Sequence, residues 1–331
     1  CEIGHACSGV GTARSLHVSK LARCLYWNTA IAMKKLLKWI GIVVAVLVVI
    51  GIGLVLAANL LFERKRERVI NVDVKAIPVV ADAAALERGK YLFMSRGCGD
   101  CHGANGAGRA FINEPEDGFY VRSPNITPAG VVGAYTERDW VRAIRHGVKP
   151  DGRPVFIMPS EDYNRFTDRD VAALIAYARS LPAVSSGSAE FRVPLPVKAM
   201  YAFGVVKDSA EKINHSLPPA PPVPEGVTPE HGKYVANLCL GCHGEHLSGG
   251  KIPGGPPNWP AASNLTPGQG TVLTTYDSAD KLKAMFRSGK RPDGSAVAVM
   301  PFETLREIND TDVTALYAYL KQLPPRPAGG R

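Results

Sequence analysis

Two stretches of this chain repeat one another 141 residues apart. "RGCGDCHGANG" carries Cys98, Cys101 and His102, and "NLCLGCHGEHL" carries Cys239, Cys242 and His243. The likeness runs on through whole modules. "SPNITP" is answered by "ASNLTP", "YTERDWVRAIRHG" by "YDSADKLKAMFRSG", and "KPDGRPVFIMP" by "RPDGSAVAVMP". "FTDRDVAALIAYARSLP" is answered by "INDTDVTALYAYLKQLP". The offset stays within 139 to 143 residues, so the chain writes one module twice, over 83–182 and 226–325. Whatever fold forms must form twice, in about 100 residues each.

Each module reads as helical. Thr136 sits three residues before Asp139, a capping-box start with Asp in place of Glu, and Asp277 with Asp280 repeats it. Gly147 and Gly289 close these helices as C′ glycines. Val171, Leu174, Ile175 and Ala178 recur at helical spacing, matched by Val313, Leu316, Tyr317 and Leu320, and Pro182 and Pro324 stop both runs. No alternating strand pattern stands out. The fold class expected is all-α.

A Cys-x-x-Cys pair serves as a redox dithiol, half a zinc site or a haem attachment point. A dithiol needs no His in both copies. A zinc ribbon separates its pairs by about 15–20 residues, whereas here 137 intervene. Cysteines three apart on a helical turn reach both vinyl groups of one haem, and a His directly after the second lies under the ring as a proximal ligand. The expectation is two covalently bound haem c groups, at Cys98, Cys101 and His102 and at Cys239, Cys242 and His243. A soft thioether on the opposite face raises the potential and closes the iron. Of Met94, Met158, Met200, Met285 and Met300, only Met158 and Met300 match between modules, each followed by proline. They are the expected sixth ligands. The rival in the first module, His146, has Ser288 as its counterpart.

The net charge is +9. Residues 1–68 hold ten Lys/Arg and three Asp/Glu, which leaves only +2 on the rest, so no basic surface remains for nucleic acid. Trp39 to Phe62 is 24 residues without a charge. As a helix it would be about 36 Å long, enough for a bilayer core of roughly 30 Å. Lysines precede it and Arg64, Lys65, Arg66 and Arg68 follow, so charge alone sets no orientation. Residues 33–68 are read as an anchor helix; a signal peptide cut after Ala57 is the competing reading. Residues 1–32, ahead of Met33, are read as an artefactual or disordered extension. Its Cys1, His5, Cys7, His17 and Cys24 lack paired metal-ligand spacing. The linker, 183–225, ends proline-rich as a spacer, and its apolar Ala199 to Val206 packs on a module or lies near a membrane.

On "CGDCHG", "LCLGCHG", "NITP", "NLTP", "IMP" and "VMP", both modules resemble class I cytochrome c domains. The pair is most similar to the cytochrome c subunits of periplasmic, membrane-bound alcohol, sorbitol and gluconate dehydrogenases, which carry three such motifs where this chain has two. The layout is also similar to anchored dihaem subunits of haem–copper oxidases. The resemblance implies an N-terminal transmembrane helix followed by two tandem cytochrome c domains. It implies a bacterial cytoplasmic (inner) membrane location with the haem domains in the periplasm. It implies Arg145, Arg287, Asn125 and Asn264 as donors to haem propionates, and Pro115 and Pro256 as sources of a carbonyl that orients the ligand histidines. The function implied is electron carriage rather than catalysis. The donor would be a periplasmic or membrane-bound dehydrogenase, and the acceptor an oxidase, a quinone-linked complex or a soluble cytochrome. The competing functions are a dihaem enzyme of peroxidase or thiosulfate dehydrogenase type, for which Glu245 and His246 beside the second motif are the sequence hint, and a haem-bearing subunit of a terminal oxidase, which shares the same haem chemistry and differs in its partner.

Overall fold

The computed structural model describes residues 13–256 and 258–330, with side chains at Trp27 and from Ile31 onward. Cys1, His5 and Cys7, and the side chains of His17 and Cys24, lie outside the described residues. The chain divides into two compact units, 1–58 and 59–331. Helix α1 (Ala13–Arg66) does not break at Met33, where the sequence reading starts the anchor. Every residue from Ile31 to Ala57 is exposed, apolar ones included. Residues 31–66 are long and apolar enough to cross a membrane. A helix apolar on all sides has no stable place in water.

Residues 59–331 hold both modules. The first has α2 (Ala83–Ser95), α3 (Cys98–His102), strands β1 (Ala110–Glu114) and β2 (Phe119–Arg122), then α4 (Glu137–His146), α5 (Ser160–Tyr163) and α6 (Asp168–Ser180). Strand β3 (Glu190–Arg192) and α7 (Leu195–Ala202) follow in the linker. The second module has α8 (Pro229–Val235), α9 (Leu240–His243), α10 (Ala279–Ser288), α11 (Phe302–Leu305) and α12 (Asp310–Gln322).

The caps explain these boundaries. Thr136 accepts from the Asp139 N–H while the Asp139 carboxylate accepts from the Thr136 N–H, a full capping box. In the second module the cap is Ser278, which accepts from the Lys281 N–H, rather than the Asp277 expected. One hydroxyl residue later in the chain fills the same role. Gly147 and Gly289 do close α4 and α10 in left-handed conformation, at φ 61° and 72°.

The modules are built alike around their first and last helices. A Cβ on Gly89 of α2 would overlap the Ala173 carbonyl oxygen of α6. A Cβ on Gly232 of α8 would likewise overlap that of Ala315 in α12. Glycine at these crossings lets the backbones touch. Around the first crossing Leu92, Phe93, Trp140, Ile144, Val171 and Ile175 form a buried core. Val235, Leu282, Phe286, Val313, Leu316 and Leu320 do so around the second.

The departure from an all-helical module is a three-stranded antiparallel sheet in the order β1-β2-β3. Glu114 pairs with Phe119 and Ala110 with Arg122, and Tyr120 pairs with Arg192. Strands of three to five residues are too short to show alternation in sequence. The third comes from the linker, which is therefore more than a spacer. Its proline-rich end has no regular structure, and even there Ala220 and Val223 pack on the first core.

Replacing Gly89 with alanine should lower stability by about 1–3 kcal/mol, the usual cost of overpacking. Thermal unfolding of Gly89→Ala beside the parent checks this. An unchanged midpoint would mean the crossing is looser than described.

Candidate functional site

Each Cys-x-x-Cys-His segment sits on a short helix directly after the first helix of its module. Cys98, Cys101 and His102 fall on α3. Cys239 ends a 3-10 turn that runs into α9, which carries Cys242 and His243. No disulfide joins these cysteines. Burial pushes the Cys98 thiol up to about 12, Cys101 up to about 11 and Cys239 up to about 12. A dithiol built for exchange has a lowered thiol pKa, the opposite direction from that of these buried thiols. Among the described residues no three His, Cys, Asp or Glu side chains gather as a metal cluster, so the two pairs do not combine into a zinc site.

The histidines are aimed. His102 Nδ1 is 2.9 Å from the Pro124 carbonyl oxygen, and His243 Nδ1 is 2.8 Å from that of Ser263. A carbonyl only accepts, so Nδ1 carries the proton and Nε2 keeps its lone pair for a metal. Burial pushes the His102 pKa down against the opposing pull of the Pro124 bond, and the ring is neutral. The carbonyls expected from Pro115 and Pro256 are otherwise engaged, accepting from Gly118 and Trp259 N–H groups. The residues that orient the rings stand directly before the matched Asn125 and Asn264, where "SPN" and "ASN" could have pointed to them.

Met158 and Met300 reach the same cores as the thiols. Met158 packs with Cys98 against the first core, and Met300 with Cys239 against the second. A matched hairpin delivers each. Lys149 N–H bonds the Arg153 carbonyl at 2.9 Å and Arg291 N–H that of Ser295 at 2.8 Å, around the two Pro-Asp-Gly turns. Val155 and Val297 N–H groups then bond the helix-closing Gly147 and Gly289 carbonyls at 2.7 and 2.9 Å. Met285 is buried in the second core, and Met94 packs under α3 near Gly99. His146 faces the linker, Nδ1 to Nδ1 3.1 Å from His215. Glu245 and His246 are exposed.

The four matched polar residues brace the module. Asn125 Nδ2 donates to the Val184 carbonyl at 2.6 Å and Asn264 Nδ2 to that of Arg326 at 2.8 Å, each tying its loop to the chain after the last helix. Arg145 donates to Asp168 and the Phe166 carbonyl at 2.6 and 2.7 Å. Arg287 donates to the Arg306 and Ile308 carbonyls, both at 2.6 Å. Three donors in the first module, Arg122 Nε, Trp140 Nε1 and Arg145 Nε, are buried and have no hydrogen-bond partner among the described residues. Buried orphan donors call for an acceptor. An acceptor-rich group such as a carboxylate-bearing haem fits such donors, in a module that also holds two thiols and an aimed imidazole. Trp140 was not singled out in the sequence because its counterpart is Leu282.

The two sites are held together by an exchange of tyrosines. Tyr91 of α2 donates to Asp312 of α12 at 2.7 Å and accepts from the Asn309 N–H at 3.2 Å. Tyr234 of α8 donates to Asp170 of α6 at 2.6 Å and accepts from the Thr167 N–H at 3.2 Å. Asn309 and Thr167 are the N-caps of those helices, and each aspartate is the N3 residue whose N–H they bind. Each tyrosine thus completes the other module's capping box, its hydroxyl inserted between N-cap amide and N3 carboxylate. Each aspartate also takes a partner from its own module, Arg88 at 2.9 Å for Asp170 and His231 at 2.7 Å for Asp312. Arg96, two residues before Cys98, adds a fully buried 2.6 Å pair to Asp312. The attachment helices join in. Asp100 of α3 accepts from Thr304 of α11 at 2.5 Å, and Gly241 of α9 lies against Asp162 of α5.

A family model described as cytochrome c matches residues 86–182 and 230–324. A fructose dehydrogenase cytochrome subunit of Gluconobacter japonicus is 27% identical over 283 residues, 77% of this chain and 56% of that protein. The cytochrome c subunit of a quinone alcohol dehydrogenase of Gluconacetobacter polyoxogenes is 29% identical over 279 residues, covering 75% of this chain and 58% of that one. A diheme cytochrome c-type protein of Cereibacter sphaeroides is 27% identical over 268 residues, 72% of this chain and 85% of its own length. The chain therefore spans somewhat over half the length of the two dehydrogenase subunits.

Burial raises the Asp312 and Asp170 carboxyls, but Arg96 and Arg88 beside them outweigh it and hold both below the ordinary carboxylate value. Their contribution to stability is therefore whole above the unfolded carboxylate pKa of about 4 and is lost as pH falls through the lower folded values. Asp312→Ala strands Arg96 and should cost about 3–5 kcal/mol at pH 7. Unfolding midpoints measured from pH 7 to pH 2 should show the parent losing its advantage below about pH 4. Parallel curves for parent and variant would count against the pair.

Proposed function

The chain belongs to the cytochrome c family, and on that premise we propose that it is an electron carrier with two covalently held haem c groups, anchored in the bacterial cytoplasmic membrane. The observation that carries this is the duplication of one whole site. In each module an imidazole is held by a carbonyl at Nδ1, two thiols lie beside it, and a methionine reaches the same apolar core.

Cys98 and Cys101 would hold one group by thioether bonds with His102 and Met158 as iron ligands, and Cys239, Cys242, His243 and Met300 would hold the other. Bound haem supplies a one-electron ferric–ferrous couple. The protein's part is to orient, enclose and connect. The Pro124 and Ser263 carbonyls fix the imidazoles, the Pro-Asp-Gly hairpins deliver the methionines, and Asn125, Asn264, Arg145 and Arg287 brace the loops around them. Arg145 Nε and Trp140 Nε1 remain to meet propionate in the first module. The tyrosine exchange keeps the separation of the two sites constant, which a relay needs.

Residues 31–66 cross the membrane, and the modules lie in the periplasm, where proteins of this family receive haem. Relatives named as subunits of fructose and alcohol dehydrogenases support a dehydrogenase as donor. The acceptor is an oxidase, a quinone-linked complex or a soluble cytochrome.

A potentiometric titration of the full-chain protein should resolve two one-electron components. Thioether ligation raises a haem potential, so Met158→Ala and Met300→Ala should each lower one component and leave the other in place, with haem content unchanged. Two variants that move neither component would overturn the ligand assignment.

A further inference from the structure

The linker folds back onto the end of α1 and leaves an apolar face uncovered. Tyr201 of α7 is fully buried, its ring 5.5 Å from that of Phe62 and 4.7 Å from that of Phe156. Lys65 donates to the Tyr201 carbonyl at 2.8 Å, and Lys198 to Asn59 Oδ1 at 2.8 Å. The Tyr201 hydroxyl donates to Asp208 at 2.6 Å, and Asp208 pairs with Arg68 at 2.6 Å. Arg68 also donates to the Tyr201 hydroxyl at 3.0 Å, so three bonds to residues 59–68 fix α7 in place. With Tyr201 and Val197 turned inward, the other side of the segment is exposed. Phe203 and Val205 are 74% and 72% exposed, and Leu195 and Met200 are exposed as well.

Single exposed apolar side chains are ordinary on a soluble surface; a contiguous group is not. This group begins where the uncharged stretch of α1 ends, and Leu60 there is exposed too. Lys198 and Lys207 stand beside these residues in the sequence. Arg64 and Lys207 form no ion pair among the described residues, and Lys198 meets an amide and the Phe62 ring instead of a carboxylate. Beside it lies a cleft of about 250 Å³, lined by Phe62, Phe191 and Val193 and by Arg66, Arg192 and Lys198. Glu63 on that cleft is already paired with Arg66, and Arg192 with Glu190.

We propose that this face is a second membrane contact. Leu195, Met200, Phe203 and Val205 enter the interfacial layer of the bilayer, and Lys198 and Lys207 meet anionic phospholipid headgroups. The proposal rests on α1 being a membrane anchor. A lipid surface is the occupant because residues 59–66, to which α7 is bonded, stand at the end of an apolar span and so at headgroup depth. Aromatic and aliphatic tips with lysines beside them are the composition that this layer favours. Residues 67–79 already bind the first module, through Glu67 to Arg153, Ile70 to Gly152 and the burial of Val74 and Ile77 in its core. With α7 also seated, the first module holds one face to the membrane.

The test uses the full-chain holoprotein in nanodiscs containing an anionic phospholipid with a photoactivatable group in its acyl chain, and maps the adducts by peptide mass spectrometry. Adducts are expected in α1 and also in 195–206. The double variant Phe203→Glu/Val205→Glu should lose the second set and keep the first, with an unchanged haem absorbance to show that it folds. Labelling of α1 without 195–206 in the parent would overturn the proposal and leave the anchor standing. So would equal labelling of 195–206 in parent and variant. Labelling of neither segment would overturn the anchor reading, and this one with it.

Discussion

Two tyrosine hydroxyls, each inserted into the capping box of the other module's last helix, are the constraint on which the arrangement of this molecule depends. Asp170 and Asp312 are buried, and a buried carboxylate is tolerated only when its oxygens are met. Neither module meets them alone. Arg88 and His231 supply one side from within, and Tyr234 and Tyr91 supply the other from the partner module. The last helix of each module therefore begins correctly only when the other is in place. That helix in turn packs on the glycine of the first helix, which leads into the attachment segment. Cap, crossing and cysteine pair form one connected structure in each half.

How much of this can be read in the sequence depends on how far apart the interacting residues lie. Local chemistry is plain: the C′ glycines, the stopping prolines and the Cys-x-x-Cys-His segments all stand where the repeat places them. The cap of α10 moved by one residue, from Asp277 to Ser278, because either side chain can serve and only the backbone path decides. The orienting carbonyls at Pro124 and Ser263 carry no side-chain signature, since any residue supplies a carbonyl. Their neighbours Asn125 and Asn264 are visible because their amides are what holds the loop. The tyrosine exchange spans 221 residues in one direction. Both its members match between the modules, yet a buried Tyr–Asp pair at that distance has no periodicity to reveal it. The short sheet is hidden for a related reason, since its third strand comes from what reads as a spacer.

The division of labour follows from the same geometry. Side chains near the thiols do little chemistry themselves. They hold an imidazole, bring a thioether to the same apolar core as the thiols and leave a few donors unmatched. The linker ties the first module to the end of α1 through Tyr201 and Asp208. An asymmetry results between two otherwise similar halves: among the described residues the sheet joins the first module to the linker, and Trp140 and Arg145 of that module carry orphan donors. Two sites of one ligand type in unlike surroundings would differ in potential, which suits a relay with a direction.

The central claim is that both irons are closed by His and Met in a protein that carries electrons and binds no substrate at the metal. The most direct measurement is the visible spectrum of the reduced full-chain protein before and after carbon monoxide, with haem counted per chain. Two covalent haems and an unchanged spectrum are the predicted result. A carbon monoxide complex at one haem would contradict the claim by showing an open iron, and a chain without covalent haem would contradict the site itself.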